Sequence, residues 1–478
     1  MAKPSQVVMA AAPGGRLPMD SSSQGMGAVP SQFMEQMMKT TLPSALGRVL
    51  LNRRRLLQGG VAAGAALALG GPMGRAMAQD KVNLTVWAWT PKTQDMANLF
   101  MQKYPHISVT VENVGQGAPH YVKLRNAVTA GTGLPDVALI EFNSISSFKA
   151  LNALADLGPH IDPAIAEKFI DWTWTSVTEG DKVYGLPWNT GPMALLYRAD
   201  IFEQYGLTVP ETWDDYAEQA IKLAQAAPGK YLADFAVDSG WTAAVLWQAG
   251  WRPFKTEGTN IQIRINDEIA KSWANYWQRL IDAKAVDTKP GWTTEWFAAL
   301  DDGTYSSWVT AAWAPVLMEQ SMTKSFGKWR AAPMPQWQPG GKVASNWGGT
   351  VFSAFSTSPQ LKEAAEFATF MSTDPEAARF WLTDVFLFPV LDELIEDETL
   401  MGHPYEFYGG QAVNTIFAEA EAQVDPSFEF APFQDYVNSQ IEDNFAMAVA
   451  GNGTLADAFD RVQDAVVIYA RDQGYTVT

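Results

Sequence analysis

From Lys81 the chain alternates apolar and polar residues, with Val82, Leu84 and Val86 on one face, before running into Trp87-Ala88-Trp89. That period of two predicts a half-buried strand leading into a loop. Thr90-Pro91 reads as a helix start, with an N-cap followed by Pro at the first helical position. Met96, Leu99, Phe100 and Tyr104 then keep helical spacing until Pro105 stops it. Ile107 to Val111 predicts a second strand, Tyr121 to Ala130 a helix, and Gly133-Leu134-Pro135-Asp136 a turn. Val137 to Ile140 is apolar throughout and predicts a buried third strand. This βαβαβ order implies a parallel sheet with helices on its faces and a ligand site beyond the carboxyl ends of its strands. The candidates at those ends are Trp89, Gln116 between two glycines, and Glu141 with Asn143.

Farther on, an apolar run enters Tyr184-Gly185-Leu186-Pro187-Trp188-Asn189-Thr190-Gly191-Pro192, and a second apolar run starts at once. A rigid Gly/Pro turn carrying a Trp-Asn pair suits a chain that crosses between two lobes and presents Trp188 and Asn189 to a cleft. Asn346-Trp347-Gly348-Gly349 predicts a second such crossing, with Trp347 and Gly348 at the cleft. Between them Thr212 and Asp215 open a helix in capping-box fashion. Trp241, Trp247 and Trp251 cluster, and Trp241 joins the cleft candidates. Trp273, Tyr276, Trp277, Leu280 and Ile281 keep the spacing of a helix face turned to the core, so they are left out of the site. Ser358-Pro359 and Asp374-Pro375 predict two further helix starts. The last hundred residues read as mostly helical, with a long helix opening at Pro432 to Tyr436 and ending near Gly451.

Composition sharpens the chemistry mainly by exclusion. The chain of 478 residues carries 34 Lys and Arg against 52 Asp and Glu, a formal charge of −18, which disfavours nucleic acid and anionic lipid as partners. It has no cysteine, hence no disulfide, thiolate metal site or cysteine nucleophile. The four histidines His106, His120, His160 and His403 lack metal spacing, so no metal and no cofactor is expected. Pro339-Gly340-Gly341-Lys342 lacks Walker spacing, and Gly115-Gln116-Gly117 lacks the third glycine of a dinucleotide site. No stretch advertises the paired carboxylates of a glycoside hydrolase, so a binder is expected over an enzyme. The unusual count is 19 Trp residues, because a Trp face offers wide, rigid area against the apolar face of a sugar ring.

Residues 1–78 read as an export leader preceded by an irregular extension. Arg53-Arg54-Arg55 precede Leu56-Leu57-Gln58, an apolar stretch runs from Val61 to Leu69, and Ala76-Met77-Ala78 forms a cleavage site before Gln79. The paired arginines resemble the twin-arginine export motif. Since a lipid anchor needs a cysteine, the expectation is a periplasmic protein released near Ala78-Gln79 without an anchor.

Several pieces, in this order, resemble the extracellular solute-binding proteins of ABC importers, family 1, which include maltose-binding proteins. They are Tyr104-Pro105 to Val109, Gly133 to Val137, the run at Tyr184 to Asp200, and Pro210-Glu211-Thr212-Trp213-Asp214-Asp215. Trp308 to Trp313, Glu363 to Phe370 and Phe386 to Pro389 continue the series. The resemblance spans about Val82 to Ala448. It implies an α/β, two-lobed periplasmic binding protein fold, each lobe a mostly parallel sheet flanked by helices, with the ligand cleft between lobes. Residues 79–189 plus 350–408 would form lobe 1, and 190–349 plus 409–478 lobe 2. By position, Trp89, Asn143, Asn189, Trp313 and Trp347 fall where the family contacts ligand. Where maltose-binding members carry a sugar-binding acid in the first crossing, this chain has Gly191, or Asn189 if the loop shifts, which argues against maltose. The implied function is binding of a mono- to oligosaccharide by a monomer that closes by hinge rotation and docks on the importer's membrane permease subunits. A polyamine or another polar solute on the same fold, or an exported glycoside hydrolase, is the alternative.

Overall fold

The structure, a computed structural model, describes residues 81–478; the expected leader and its cleavage site lie outside the described residues. Strand β1 (Val82–Trp87), helix α1 (Thr93–Lys103), strand β2 (Ile107–Glu112), helix α2 (Ala118–Ala130) and strand β3 (Val137–Glu141) form the expected βαβαβ unit. The alternating residues Leu84 and Val86 are buried, and β1 lies parallel between β2 and β3. Helix α3 (Phe142–Ala150) follows directly, and α4 (Asp171–Val177) leads to the first crossing. There β4 (Leu186–Asn189) and β5 (Met193–Arg198) belong to different sheets.

After β5 come α5 (Trp213–Ala226), α6 (Ser239–Gln248) and α7 (Glu268–Asp282). Strands β6 (Ser307–Ala311) and β7 (Trp329–Pro333) then flank β5 in the order β6-β5-β7. The chain returns through β8 (Thr350–Ala354), which completes the first sheet in the order β2-β1-β3-β8-β4. Helices α8 (Leu361–Thr373), α9 (Pro375–Asp384), α10 (Val413–Glu421), α11 (Gln434–Val449) and α12 (Leu455–Asp472) finish the molecule. Helix α8 packs on β8 and β4, whereas α10 packs on β5 and β7, and α12 on α7. Among the described residues no helix is long and apolar enough to cross a membrane.

The architecture is the expected two-sheet α/β arrangement, with a difference in strand direction. Parallel pairing is confined to β2-β1-β3; β8 runs antiparallel to β3 and β4, and the second sheet is antiparallel throughout. The strands of the antiparallel pairs lie far apart in the chain or cross between sheets, so no local alternation of strand and helix announces their direction.

Local signals mostly act where they stand. Thr212 and Asp215 form a reciprocal capping box on α5, and Asp374 caps α9 by accepting from Glu376 and Ala377 N–H. Two helix starts shift. Helix α1 begins at Thr93, after Lys92 adopts φ 65°, and Thr90 instead accepts from Thr93 Oγ1 at 2.7 Å. Helix α8 begins at Leu361, three residues after Ser358, whose hydroxyl donates to Asp136 Oδ1 at 2.6 Å and accepts from Gln360 N–H at 3.2 Å. Trp273 and Trp277 are each 1% exposed, in keeping with their helical spacing.

Candidate ligand-binding cleft

Two chain segments pass between the sheets side by side, and their bonding fixes the floor of the cleft. Trp347 N–H donates to Gly191 O at 2.8 Å, and Gly191 N–H donates to Asn346 Oδ1 at 2.7 Å. Asn346 Nδ2 reaches Gly348 O at 2.8 Å, which leaves its amide a single possible orientation. A Cβ on Gly191 would lie 2.1 Å from Trp347 O, so only glycine lets the segments approach. Gly348 and Gly349 take φ of 83° and 82°, a conformation that glycine enters without steric cost.

Trp347 leaves this floor half-buried and meets a group of indoles. Its ring lies edge-on to Trp313 at 4.9 Å and to Trp292 at 5.8 Å, while Trp308 and Trp296 extend the group. Trp313 Nε1 donates to Trp347 O at 2.7 Å, tying the second sheet's β6 end to the crossing. Trp292 Nε1 donates to Asp238 Oδ2 at 2.8 Å. Trp292 also holds φ 63°, a left-handed conformation that costs a bulky residue on the order of 1–3 kcal/mol. Its indole bond and its ring neighbours hold that conformation in place. Gly240 completes the cradle, since a Cβ there would come within 2.6 Å of Trp347 Nε1.

Two gaps flank Trp347. One, of about 370 Å³ counting space open to solvent, is lined by Asn143, Asn346, Trp347, Phe430, Gln434 and Asn438. It therefore brings α3, beside the first sheet, to α11 and the crossing. The other, of about 450 Å³, is walled by Trp241, Trp292, Trp296, Trp308, Asp234 and Asp238.

Amides are the polar side chains of the first gap, Asp234 and Asp238 are the charged ones of the second, and Glu141 stands beside Asn143. Asp238 caps α6 by accepting from Trp241 N–H at 2.8 Å; burial pushes its carboxyl up, against the pull of its Trp241 and Trp292 bonds. Burial also raises Glu141, which accepts from Tyr121 Oη at 2.9 Å and feels the charge of Asp238. Asp234 is pushed up to about 7, chiefly by burial. Among the described residues none of the three has an ion-pair partner within bonding distance. The site thus offers flat aromatic faces together with carboxylate and amide acceptors, which suits a ligand rich in hydroxyl or ammonium donors.

The candidate residues divide on placement. Asn143, Trp347 and Gly348 line the first gap, Trp347 and Trp241 the second, and Trp313 abuts Trp347. Trp241 is 9% exposed, with its indole bonded to Val309 O, so only an edge is free. Glu141 stands beside Asn143 at the end of β3. Trp89 packs edge-on to His120 at 4.9 Å, and His120 is fully buried and donates from Nε2 to Leu139 O. Trp188 is turned inward, 4% exposed between Phe352 of β8 and Trp381 of α9. Asn189 is also withdrawn, its amide donating to Thr350 Oγ1 at 2.7 Å. Gln116 is exposed on the loop before α2 and joins neither gap.

Asp238, Trp292, Trp247 and the α11 amides Gln434 and Asn438 belong to the cleft walls without having been singled out from sequence. Asp238 carried a usable signal, an Asp-Ser-Gly-Trp helix start. Trp292 carried none beyond the Pro290-Gly291 turn before it.

Comparison with known proteins places this geometry among relatives. Residues 87–378 match the family described as bacterial extracellular solute-binding protein. The arabinooligosaccharide-binding protein of Bacillus subtilis is 24% identical over 76% of this chain and 87% of its own length. A solved binding protein from B. animalis subsp. lactis, associated with an ABC transporter and in complex with β-1,6-galactobiose, is 30% identical, with TM-score 0.75 over 83% of this chain and all of its own. The galacto-N-biose/lacto-N-biose I-binding protein of Bifidobacterium longum, solved with lacto-N-biose, is 25% identical, with TM-score 0.73 over 84% of this chain and 99% of its own.

Proposed function

We propose, since this chain belongs to the bacterial extracellular solute-binding protein family, that it is the carbohydrate-binding component of an ABC importer, taking a disaccharide or short oligosaccharide. The observation that carries the ligand class is the half-buried Trp347, set among Trp313 and Trp292 and flanked by the acceptors Asn143 and Asp238. Sugar rings present apolar CH faces and outward hydroxyl donors, and this arrangement complements both. The sugars bound by the relatives from Bacillus, B. animalis and Bifidobacterium longum agree with that chemistry.

In this reading residues 79–189 with 350–408 form one lobe, and 190–349 with 409–478 the other. The ligand bridges Asn143 of the first lobe and the indoles of the second, so full contact is made only when the lobes are shut. The protein acts in the periplasm as an unanchored monomer after loss of its leader, hands its ligand to membrane permease subunits, and engages no nucleic acid. It binds and does not hydrolyse its ligand.

A second reading has one observation in its favour. Asp238, Glu141 and Asp234, unpaired with any cation, would also suit a polyamine between indoles. A thermal-shift panel separates the two, because a ligand that binds only the folded protein at a hundredfold excess over Kd adds about 2.7 kcal/mol of stability. We expect stabilisation by β-1,6-galactobiose, lacto-N-biose, lactose or arabinobiose and none by putrescine or spermidine. Stabilisation by a polyamine and by no sugar would overturn the carbohydrate reading.

A further inference from the structure

A buried carboxylate sits where the crossings meet, outside the cleft. Glu421, the last residue of α10, is 4% exposed. Its Oε1 accepts from Trp172 Nε1 of α4 at 2.5 Å. Its Oε2 lies 3.2 Å from Thr190 Oγ1 on the first crossing. Thr190 Oγ1 also lies 2.8 Å from Asn346 Oδ1 on the second crossing. Glu421 thus reaches both crossings through one hydroxyl.

The hydrogens in this chain do not suffice when Glu421 is ionised. Thr190 has one hydroxyl hydrogen and two acceptors in range. Asn346 cannot rotate its amide to help, because Oδ1 already accepts from Gly191 N–H and Nδ2 donates to Gly348 O. With Glu421 ionised, either Thr190 to Asn346 or Thr190 to Glu421 becomes a contact of two lone pairs in a buried place. A proton on Glu421 Oε2 removes the conflict: Glu421 donates to Thr190, and Thr190 donates to Asn346.

We infer that Glu421 is a proton-carrying positioning residue, which acts through Thr190 and Asn346 to hold the two crossings together and seat the Trp347 platform. The pKa agrees with the geometry. Burial pushes the Glu421 carboxyl up to about 7, the Trp172 and Thr190 bonds pull it down, and the charge of Asp392 pushes it up again. The groups facing it from the neighbouring elements are few. Asp392 comes from the short helix Asp392–Ile395, and Asp171 of α4 acts on Asp392. The crossings contribute only the uncharged Thr190 and Asn346.

The sign follows from the raised value. The folded protein holds a proton that the unfolded chain has released, so the network is complete below neutral pH and loosens as pH rises through about 7. The importance of Trp347 for the ligand rests on the carbohydrate reading; the proton chain itself does not.

The test uses the whole protein and begins without ligand. Hydrogen exchange at the Gly191 and Trp347 amides, corrected for intrinsic pH dependence, is followed from about pH 6 to about pH 8, where a single proton can change protection by about tenfold. Wild type is expected to lose protection across that range. Glu421→Gln, whose amide carbonyl accepts from Trp172 and whose NH₂ donates to Thr190, is expected to keep protection high at every pH. Wild type flat with pH, or both proteins falling together, overturns the inference. A second arm measures Kd for β-1,6-galactobiose, or for another sugar that stabilises the protein. Wild-type affinity should weaken over the same pH range and Glu421→Gln affinity should not. If exchange behaves as expected and no sugar binds, the carbohydrate reading fails while the positioning role of Glu421 stands.

Discussion

Gly240→Ala tests whether the Trp347 ring is the ligand platform without removing it. Gly240 lies in the first turn of α6, where alanine is a better helix former than glycine by at most about 1 kcal/mol. Its new Cβ would sit 2.6 Å from Trp347 Nε1 and 3.3 Å from Trp347 Cδ1. Ordinary contacts between such atoms are about 3.5–4.0 Å, so the ring must retreat by about 1 Å. The obstructing atoms are side-chain atoms, the edge of Trp347 and, at 3.3 Å, Asp238 Oδ1, and none is backbone. Folding stability should therefore change by less than about 1 kcal/mol. An aromatic stacking contact is worth about 0.5–1.5 kcal/mol beyond buried area, so displacing the ring should raise Kd by about two- to tenfold. Trp347→Ala removes the platform outright and should cost more affinity than Gly240→Ala. Calorimetric titration with β-1,6-galactobiose, beside urea unfolding of each variant, reads both effects. Unchanged affinity in both variants, with each protein folded, would refute the platform role.

Trp188→Phe should behave in the opposite way: a cavity beside Phe352 and Trp381 costs about 1–3 kcal/mol in urea unfolding, with sugar affinity unchanged. Asp238→Asn keeps an N-cap for α6 but loses the charge, and we expect affinity for the same sugar to fall about tenfold by titration with little change in Tm. His120 is buried, and desolvation lowers its pKa from 6.5 to about 4. The unfolded chain therefore binds the extra proton first as pH falls, and on the order of 3 kcal/mol of stability should be lost between about pH 6.5 and pH 4. His120→Gln should flatten that part of the pH–stability curve measured by urea unfolding. Thr454→Ala breaks the capping box that opens α12 and should cost about 1 kcal/mol in the same assay.

How much of this was legible in the sequence depended on whether the cause was local. The strand at Val82–Trp87, the box at Thr212 and Asp215 and the core face of Trp273 and Trp277 follow from spacing alone, and they stand where spacing puts them. Ser358 carried an equally good helix-start signal, yet α8 begins three residues later, with the Ser358 hydroxyl bridging Asp136 and Gln360 N–H. The pairing of the two crossings was readable from their Gly-rich turns, and Trp347 with it. Which of the neighbouring aromatics face the cleft was not. Trp188 points into the first sheet's core against Phe352 and Trp381, and the helix that carries Trp381 begins only at Pro375, far along the chain. Trp292 enters the site through a left-handed backbone that its residue type argues against. Asp238 went unread in the sequence; it caps α6 with one oxygen, and its second oxygen is what holds Trp292.

The contact between Gly191 and Trp347 ties recognition to mechanics. One residue's carbonyl and amide serve the pairing of the segments, and the same residue's indole forms the floor on which a ligand would rest. The seat of the indole therefore depends on the join: a change that shifts the backbone of residue 347 also shifts the ring on which a ligand would rest. Gly191 has no freedom to compensate, since any side chain there meets Trp347 O. Lineages that diversify their ligand on this scaffold should do so on the helix-borne walls, at positions such as Asn143, Gln434 and Asn438, where one amide can be exchanged without disturbing the axle. The floor is the part of the cleft that evolution can least afford to edit.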